Sequence, residues 1–168
     1  MQLFAGSLTD NIAVGDPSPD PVRVRALCSE LGIDRIAERV RTGMSGQIAE
    51  DGGNLSGGER QRIAIARALY HDPAILVFDE ATAALDAGSA HVVQRCVRRL
   101  REEGKTIVVI THHLMSIADS DQIIVMARGR VIEHGTHSEL IDGRGHYARM
   151  WAQQSTGMAA SAVAAQSA

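Results

Sequence analysis

The sequence predicts an α/β fold built on a largely parallel sheet and preceded by a helical lobe. Two continuously apolar runs, Ala74-Ile75-Leu76-Val77-Phe78 and Thr106-Ile107-Val108-Val109-Ile110, read as strands buried on both faces. Between them, residues 88–102 place Val93, Cys96, Val97 and Leu100 on one helical face. Buried strands that alternate with helices imply parallel pairing. The N-terminal third carries helix signals and a long Gly-rich loop instead, hence a separate lobe.

Along the chain, Ser7 can cap a short helix reaching Ile12. The loop Gly15-Asp16-Pro17-Ser18-Pro19 follows. Pro21 to Leu31 reads as a helix with Val22, Ala26 and Leu27 inward, stopped by Gly32. Asp34 caps a second helix through Val40, and residues 41–54 form a long polar loop, of the kind usually functional or disordered. Gly58 to Leu69 is a helix carrying Ile63, Ala66 and an Arg62/Arg67 stripe, ended by Pro73. Beyond the second apolar strand, Leu114 to Ala118 is a short helix. Gln122–Ala127 and Arg130–His134 form a hairpin turned at Arg128-Gly129. Thr136 and Glu139 make a capping box, and Tyr147 to Gln153 is a further helical turn or two. After Gln154 the chain is Ala, Ser and Gln without periodicity, which reads as an unstructured tail.

Composition narrows the function. With 168 residues and 45% hydrophobic content, one packed domain is the natural expectation. A net charge of −3 opposes a nucleic-acid-binding role, which needs a basic face. Cys28 and Cys96 stand far apart, outside any C-x-x-C, and read as buried small hydrophobes in a reducing compartment. No apolar run approaches the roughly 20 residues of a membrane helix, and the N-terminus lacks the basic start of a signal peptide. Membrane association is therefore expected only through a partner.

Three places carry chemistry. Leu55-Ser56-Gly57-Gly58-Glu59 opens a helix, where glycines and unbonded N–H groups suit an anion, though S-x-x-E is equally an ordinary capping box. Asp79 and Glu80 sit where a buried strand exits, the usual place for ligands in parallel sheets. One carboxylate there can orient Mg²⁺ and its waters, and the other can polarise an attacking water. His112 follows the second apolar strand and so emerges at the same sheet edge. Asp86 opens the turn before a helix, where capping is the plainer role.

This order of Leu-Ser-Gly-Gly-Glu, a strand ending Asp-Glu, Ala84-Leu85-Asp86 and Ile110-Thr111-His112 resembles the ATP-binding cassette family, from about Leu3 to Gln153. The resemblance implies a partial P-loop NTPase (RecA-like) core with a mostly parallel sheet plus a helical subdomain. Residues 1–71 would be the helical subdomain, 72–153 the C-terminal part of the core, and 154–168 the tail. It implies that Leu55, Ser56, Gly57, Gly58 and Glu59 are the signature that binds nucleotide across a head-to-tail dimer. Asp79 would serve Mg²⁺, Glu80 the hydrolytic water, Ala84, Leu85 and Asp86 the D-loop, and His112 the γ-phosphate. Leu3-Phe4-Ala5-Gly6-Ser7-Leu8 with Asn11-Ile12, and Gly129 to His137 with Glu139-Leu140, resemble exporters with fused membrane domains. Glu50-Asp51-Gly52-Gly53-Asn54 resembles their X-loop, so Glu50 would touch the membrane domain. Expected partners are a second ATP-binding domain and a membrane-spanning permease, at the cytoplasmic face of the plasma membrane; the cofactors are ATP and Mg²⁺.

The departures matter as much. These residues contain no G-x-x-x-x-G-K-[ST]; the sole lysine, Lys105, lies in Gly104-Lys105-Thr106. Gln2 stands too close to Phe4 to be the Q-loop glutamine, and the adenine-stacking aromatic is missing. The chain thus holds half of each composite site and is expected to be inactive alone. Other readings are a modulatory module that pairs with an intact subunit, and an ATPase of DNA maintenance. The exporter-like segments and the charge oppose the last.

Overall fold

Hydrogen-bonded caps open three helices of the first unit, Met1–Ile110. The computed structural model describes residues 2–39, 47–79 and 87–166, and all their side chains except those of 37, 39, 87–90 and 157–166. Ser7 Oγ accepts from the Asp10 N–H while the Asp10 carboxylate accepts from the Ser7 N–H, which opens α1 (Leu8–Ile12). Asp20 caps α2 (Pro21–Glu30), whose proline occupies the first turn, where its missing N–H costs nothing.

The inward face of α2 differs from expectation. Val24, Leu27 and Cys28 are buried, with Leu31 beyond, at the i, i+3, i+4, i+7 spacing of a helical stripe. Val22 is 66% exposed and Ala26 is exposed, because both fall outside that stripe. Asp34 lies inside α3 (Asp34–Arg39) and not at its cap; its charge there favours the helix dipole.

The predicted loop at 41–54 contains a short strand. β1 (Gly6–Ser7) pairs antiparallel with β2 (Gln47–Ile48), and a 3₁₀ turn, Glu50–Gly52, follows. α4 (Gly57–Tyr70) runs through the middle of the unit and packs against α1 and α2. Its Ile63, Ala66 and Leu69 join a hydrophobic core that extends from Leu3 to Leu100. That core runs without a break past residue 71, so the helices and the strands that follow share one unit.

β3 (Ile75–Asp79) and β4 (Thr106–Ile110) pair in parallel, Ile75 opposite Thr106 and Asp79 opposite Ile110, connected across α5 (Ala87–Glu102). Burial on both faces does not hold. Leu76 and Phe78 are buried with Val93, Cys96 and Leu100 of α5. On the opposite face Ile75 is 62% and Val77 61% exposed, and Val108 and Ile110 are exposed as well. Within this unit α5 packs on the Leu76 and Phe78 face of the pair.

The second unit, Thr111–Ala168, begins with a 3₁₀ turn, Leu114–Ser116, in place of a longer helix. β5 (Ile123–Ala127) and β6 (Arg130–Gly135) form the expected hairpin. Arg128 (φ 50°) and Gly129 (φ 73°) both take left-handed conformations, as a two-residue turn matching strand twist requires. Thr136 and Glu139 close the expected capping box on α6 (His137–Asp142). α7 (His146–Gln166) is far longer than the turn or two predicted, and the tail expected to be unstructured after Gln154 is helical to Gln166. Alanine dominates there, and alanine favours helix without needing an apolar face. Among the described residues the strands form three pairs, of which β3–β4 alone is parallel.

Candidate functional site

The N-terminus of α4 is built from the Leu55–Glu59 segment. Ser56 is the cap: its Oγ accepts from the Glu59 N–H at 3.3 Å, and Glu59 Oε2 accepts from the Ser56 N–H at 2.7 Å. The capping-box bonds are therefore present. They occupy the Glu59 carboxylate and leave the Ser56 hydroxyl hydrogen available to an outside acceptor. The N–H groups of Gly57 and Gly58 have no acceptor inside the helix, as in any first turn. Leu55, Gly58 and Glu59 are buried, whereas Ser56 and Gly57 are exposed. A 14-residue helix thus presents its positive end, a hydroxyl and an exposed glycine backbone to solvent, a combination suited to a phosphate.

The Glu50–Asn54 segment is fastened to both sides. The Asp51 N–H donates to the Leu3 carbonyl, and the Asn54 side chain bridges Ala49 N and Gln47 O. Arg60 of α4 reaches back to the Leu55 carbonyl at 2.7 Å and the Gly52 carbonyl at 3.4 Å. Glu50 joins Gln2, Leu3, Phe4 and Ala5 around a shallow cavity of about 380 Å³. Arg60 thus ties the Glu50–Asn54 segment to the Leu55–Glu59 segment.

Asp79 ends β3 with its side chain exposed, on the same face as Ile75 and Val77. Its carboxylate is a hard oxygen donor of the kind Mg²⁺ takes. Glu80, Ala84, Leu85 and Asp86 lie outside the described residues. His112 belongs to the second unit and is exposed, its ring 4.2 Å from that of His113. Cys28 and Cys96 are free and buried, their thiols pushed up to about 12 by desolvation, which leaves them inert.

Two arrangements escaped sequence reading. Asn11, wholly buried, donates to the Phe4 and Ser7 carbonyls and accepts from the Phe4 N–H. Arg67 of α4 donates to the Asn11 carbonyl at 2.7 Å, to Asn11 Oδ1 and the Gln2 carbonyl at 3.0 Å, and lies over the Phe4 ring. Burial lowers the Arg67 pKa, yet the guanidinium stays charged. The pair anchors the cavity wall to α4. The second arrangement is at Gln154: its Oε1 accepts from the Leu114 N–H at 3.0 Å, and its Nε2 donates to the His112 carbonyl. An Arg in a stripe and a Gln at a supposed boundary carry no signal in sequence, since their partners lie tens of residues away.

Comparison with known proteins places these features in a family. The ABC transporter family model matches residues 6–83. The chain is 44% identical over 156 residues to an ATP-dependent lipid A-core flippase of Alkalilimnicola ehrlichii, covering 92% of this chain and 26% of the flippase. It is 43% identical over 142 residues to the exotoxin translocation ATP-binding protein PaxB of Pasteurella aerogenes, covering 84% of this chain and 20% of that protein. The structure of a bacterial Atm1-family ABC exporter with ATP bound superposes with a TM-score of 0.85 at 39% identity, over 92% of this chain and 27% of the exporter. The chain thus spans about a fifth to a quarter of the length of these relatives. Among the described residues no helix is long and apolar enough to cross a membrane. Family match, identity and superposition converge: the chain belongs to the ABC transporter family, among the ATP-binding domains of exporters, and has part of their P-loop NTPase fold.

Proposed function

We propose that this chain supplies the signature and Walker B sides of an ATP-hydrolysing domain that drives export. The observation that carries this reading is the start of α4, where an exposed serine and glycine stand at the positive end of a 14-residue helix already closed by its own capping box. Ser56, Gly57 and Gly58 would hold the γ-phosphate of nucleotide bound to a second ATP-binding domain in a head-to-tail dimer. Leu55 and Glu59 lock that backbone from below. Asp79 would hold Mg²⁺, whose charge offsets that developing on the phosphates. Glu80 would accept a hydrogen bond from the hydrolytic water, His112 would donate to the γ-phosphate, and Ala84, Leu85 and Asp86 would line the dimer contact as a D-loop.

Residues 1–71 act in this reading as the helical subdomain and 72–153 as part of the catalytic core. Glu50 and the cavity it shares with Gln2–Ala5 would receive cytoplasmic helices of a permease domain, which holds the chain at the inner face of the plasma membrane. Because the sequence lacks a phosphate-binding loop, turnover needs one supplied covalently or by another chain.

The test uses a reconstituted domain, this chain joined behind the phosphate-loop segment of a related exporter domain. Glu80→Gln should abolish steady-state hydrolysis, by at least a hundredfold if the residue contributes as general bases do, while ATP stays bound. Ser56→Arg should bind ATP as a monomer but fail to dimerise, because the cation fills the anion site. Wild-type turnover in the first variant would remove Glu80 from the mechanism, and normal ATP-driven dimerisation in the second would overturn the role given to Ser56.

A further inference from the structure

We propose that Gln154 is a positioning residue for His112, so that the C-terminal helix sets the geometry of the histidine switch; this rests on the role assigned to His112 above. The Gln154 carboxamide brackets one residue of backbone. Its NH₂ group donates to the His112 carbonyl and its oxygen accepts from the Leu114 N–H at 3.0 Å. A primary amide carries a donor and an acceptor side by side, so it pairs with that segment as a neighbouring strand would. The other local restraints are weaker in reach: the His113 N–H donates to Thr111 Oγ1, and Ser116 donates twice to the His113 carbonyl. Those bonds shape the turn within itself. Gln154 alone among these ties it to another element.

That element is itself held. Glu133 of β6 accepts the N–H groups of His146 and Tyr147, the first two of α7. Tyr147 is buried and its hydroxyl lies 2.8 Å from His137 Nδ1, while Trp151 stacks on the Tyr147 ring and meets the His137 ring edge-on. Tyr147, Met150, Trp151 and Gln154 follow the i, i+3, i+4, i+7 spacing of one helical face. The first three pack with Leu114 and Leu140 in the second core, which delivers the fourth to the His112 turn. A polar residue ending an apolar stripe, with both functional groups bonded to backbone on either side of one residue, is spent on holding that backbone.

The experiment compares Gln154→Ala and Gln154→Met with wild type and His112→Ala in the reconstituted domain. Methionine keeps length and packing but neither hydrogen bond, which covers the case in which alanine unfolds the helix. Two readouts are taken: amide exchange at Leu114, with Ile123 of β5 as the internal control, and the kcat and KM of ATP hydrolysis. We expect both Gln154 variants to speed Leu114 exchange about five- to tenfold, as loss of one net hydrogen bond would, with Ile123 unchanged. Turnover should fall about tenfold at a KM within twofold of wild type, since the histidine acts after ATP is bound. Unchanged Leu114 exchange overturns the clamp. Faster exchange with unchanged kcat overturns its part in positioning. Wild-type turnover in His112→Ala shows instead that the role of His112 is wrong and removes the functional half of the proposal, while Leu114 exchange still decides the clamp.

Discussion

Gly52 shows how much a single missing Cβ can decide. Its φ of +66° is left-handed, and a Cβ there would sit 2.8 Å from Arg60 Cδ and 3.1 Å from Leu3 Cδ1. Arg60 at that moment is bonded to the Gly52 and Leu55 carbonyls, so it has no easy retreat. Gly52→Ala therefore combines left-handed strain with overpacking and should destabilise the first unit by roughly 1–3 kcal/mol. It should also displace Glu50 from the cavity wall. Thermal unfolding of the reconstituted domain measures the first effect; loss of permease stimulation, with basal hydrolysis less affected, measures the second. A neutral substitution would mean that the Gly52–Arg60 contact is loose. Sequence shows Gly52 only as one of several glycines in a polar loop. What makes it special is Arg60, eight residues on, and that contact becomes visible only once α4 is placed.

At the scale of elements, legibility followed the range of the interactions. The capping boxes at Ser56 and Thr136, the hairpin turn at Arg128-Gly129 and the existence of β3, α5 and β4 all rest on neighbours in sequence, and these were readable. β2 was not: a two-residue strand inside a Gly-rich loop exists because β1 pairs with it from forty residues away. The length of α7 does not show in apolar periodicity, because alanine propensity decides it. Its start depends on another distant partner, Glu133. The N–H groups of Tyr147 and His146 hold the Glu133 carboxyl below the ordinary glutamate range. A depressed pKa in the folded state contributes stability that is complete above the ordinary range and is lost as pH falls through the depressed value. Acid should therefore detach the start of α7, read as a rise in His146 and Tyr147 amide exchange below about pH 4.5 beyond the intrinsic rate. Glu133→Gln should raise exchange at neutral pH and flatten that acid dependence; an unchanged acid profile in the variant would assign the effect to another carboxylate.

At the scale of the whole molecule, the exposed face of β3–β4 and the lack of a G-x-x-x-x-G-K-[ST] run in these 168 residues both bear on nucleotide binding. Parallel sheets are covered on both faces, yet Ile75, Val77, Val108 and Ile110 are exposed, and the same face carries Asp79 to its end. We expect that face to be covered, in an intact nucleotide-binding core, by the segment that carries the phosphate loop. From this follows the expectation that the 168-residue chain alone neither binds MgATP tightly nor hydrolyses it. In P-loop ATPases the glycine-rich loop and its lysine grip the β- and γ-phosphates, and its Ser or Thr ligates the metal. The sequence contains no such loop, and Lys105 is committed to Asp72 at 2.7 Å. Asp79 and Glu80 would then meet the phosphates as bare carboxylates, a repulsive encounter. The positive end of α4 offers on the order of 1 kcal/mol, whereas micromolar affinity needs about 8 kcal/mol. No adjustment of a factor of two or three closes that gap. Calorimetric titration of the purified chain with MgATP should show no saturable heat at micromolar concentrations, and a phosphate-release assay should show no turnover sensitive to Glu80→Gln. Joining the phosphate-loop segment should restore both and bury the β3–β4 face, visible as slowed exchange at Val77 and Val108. Micromolar binding by the chain alone would mean that residues 55–59 and Asp79 hold nucleotide without that loop, and that the proposed division of the site is wrong.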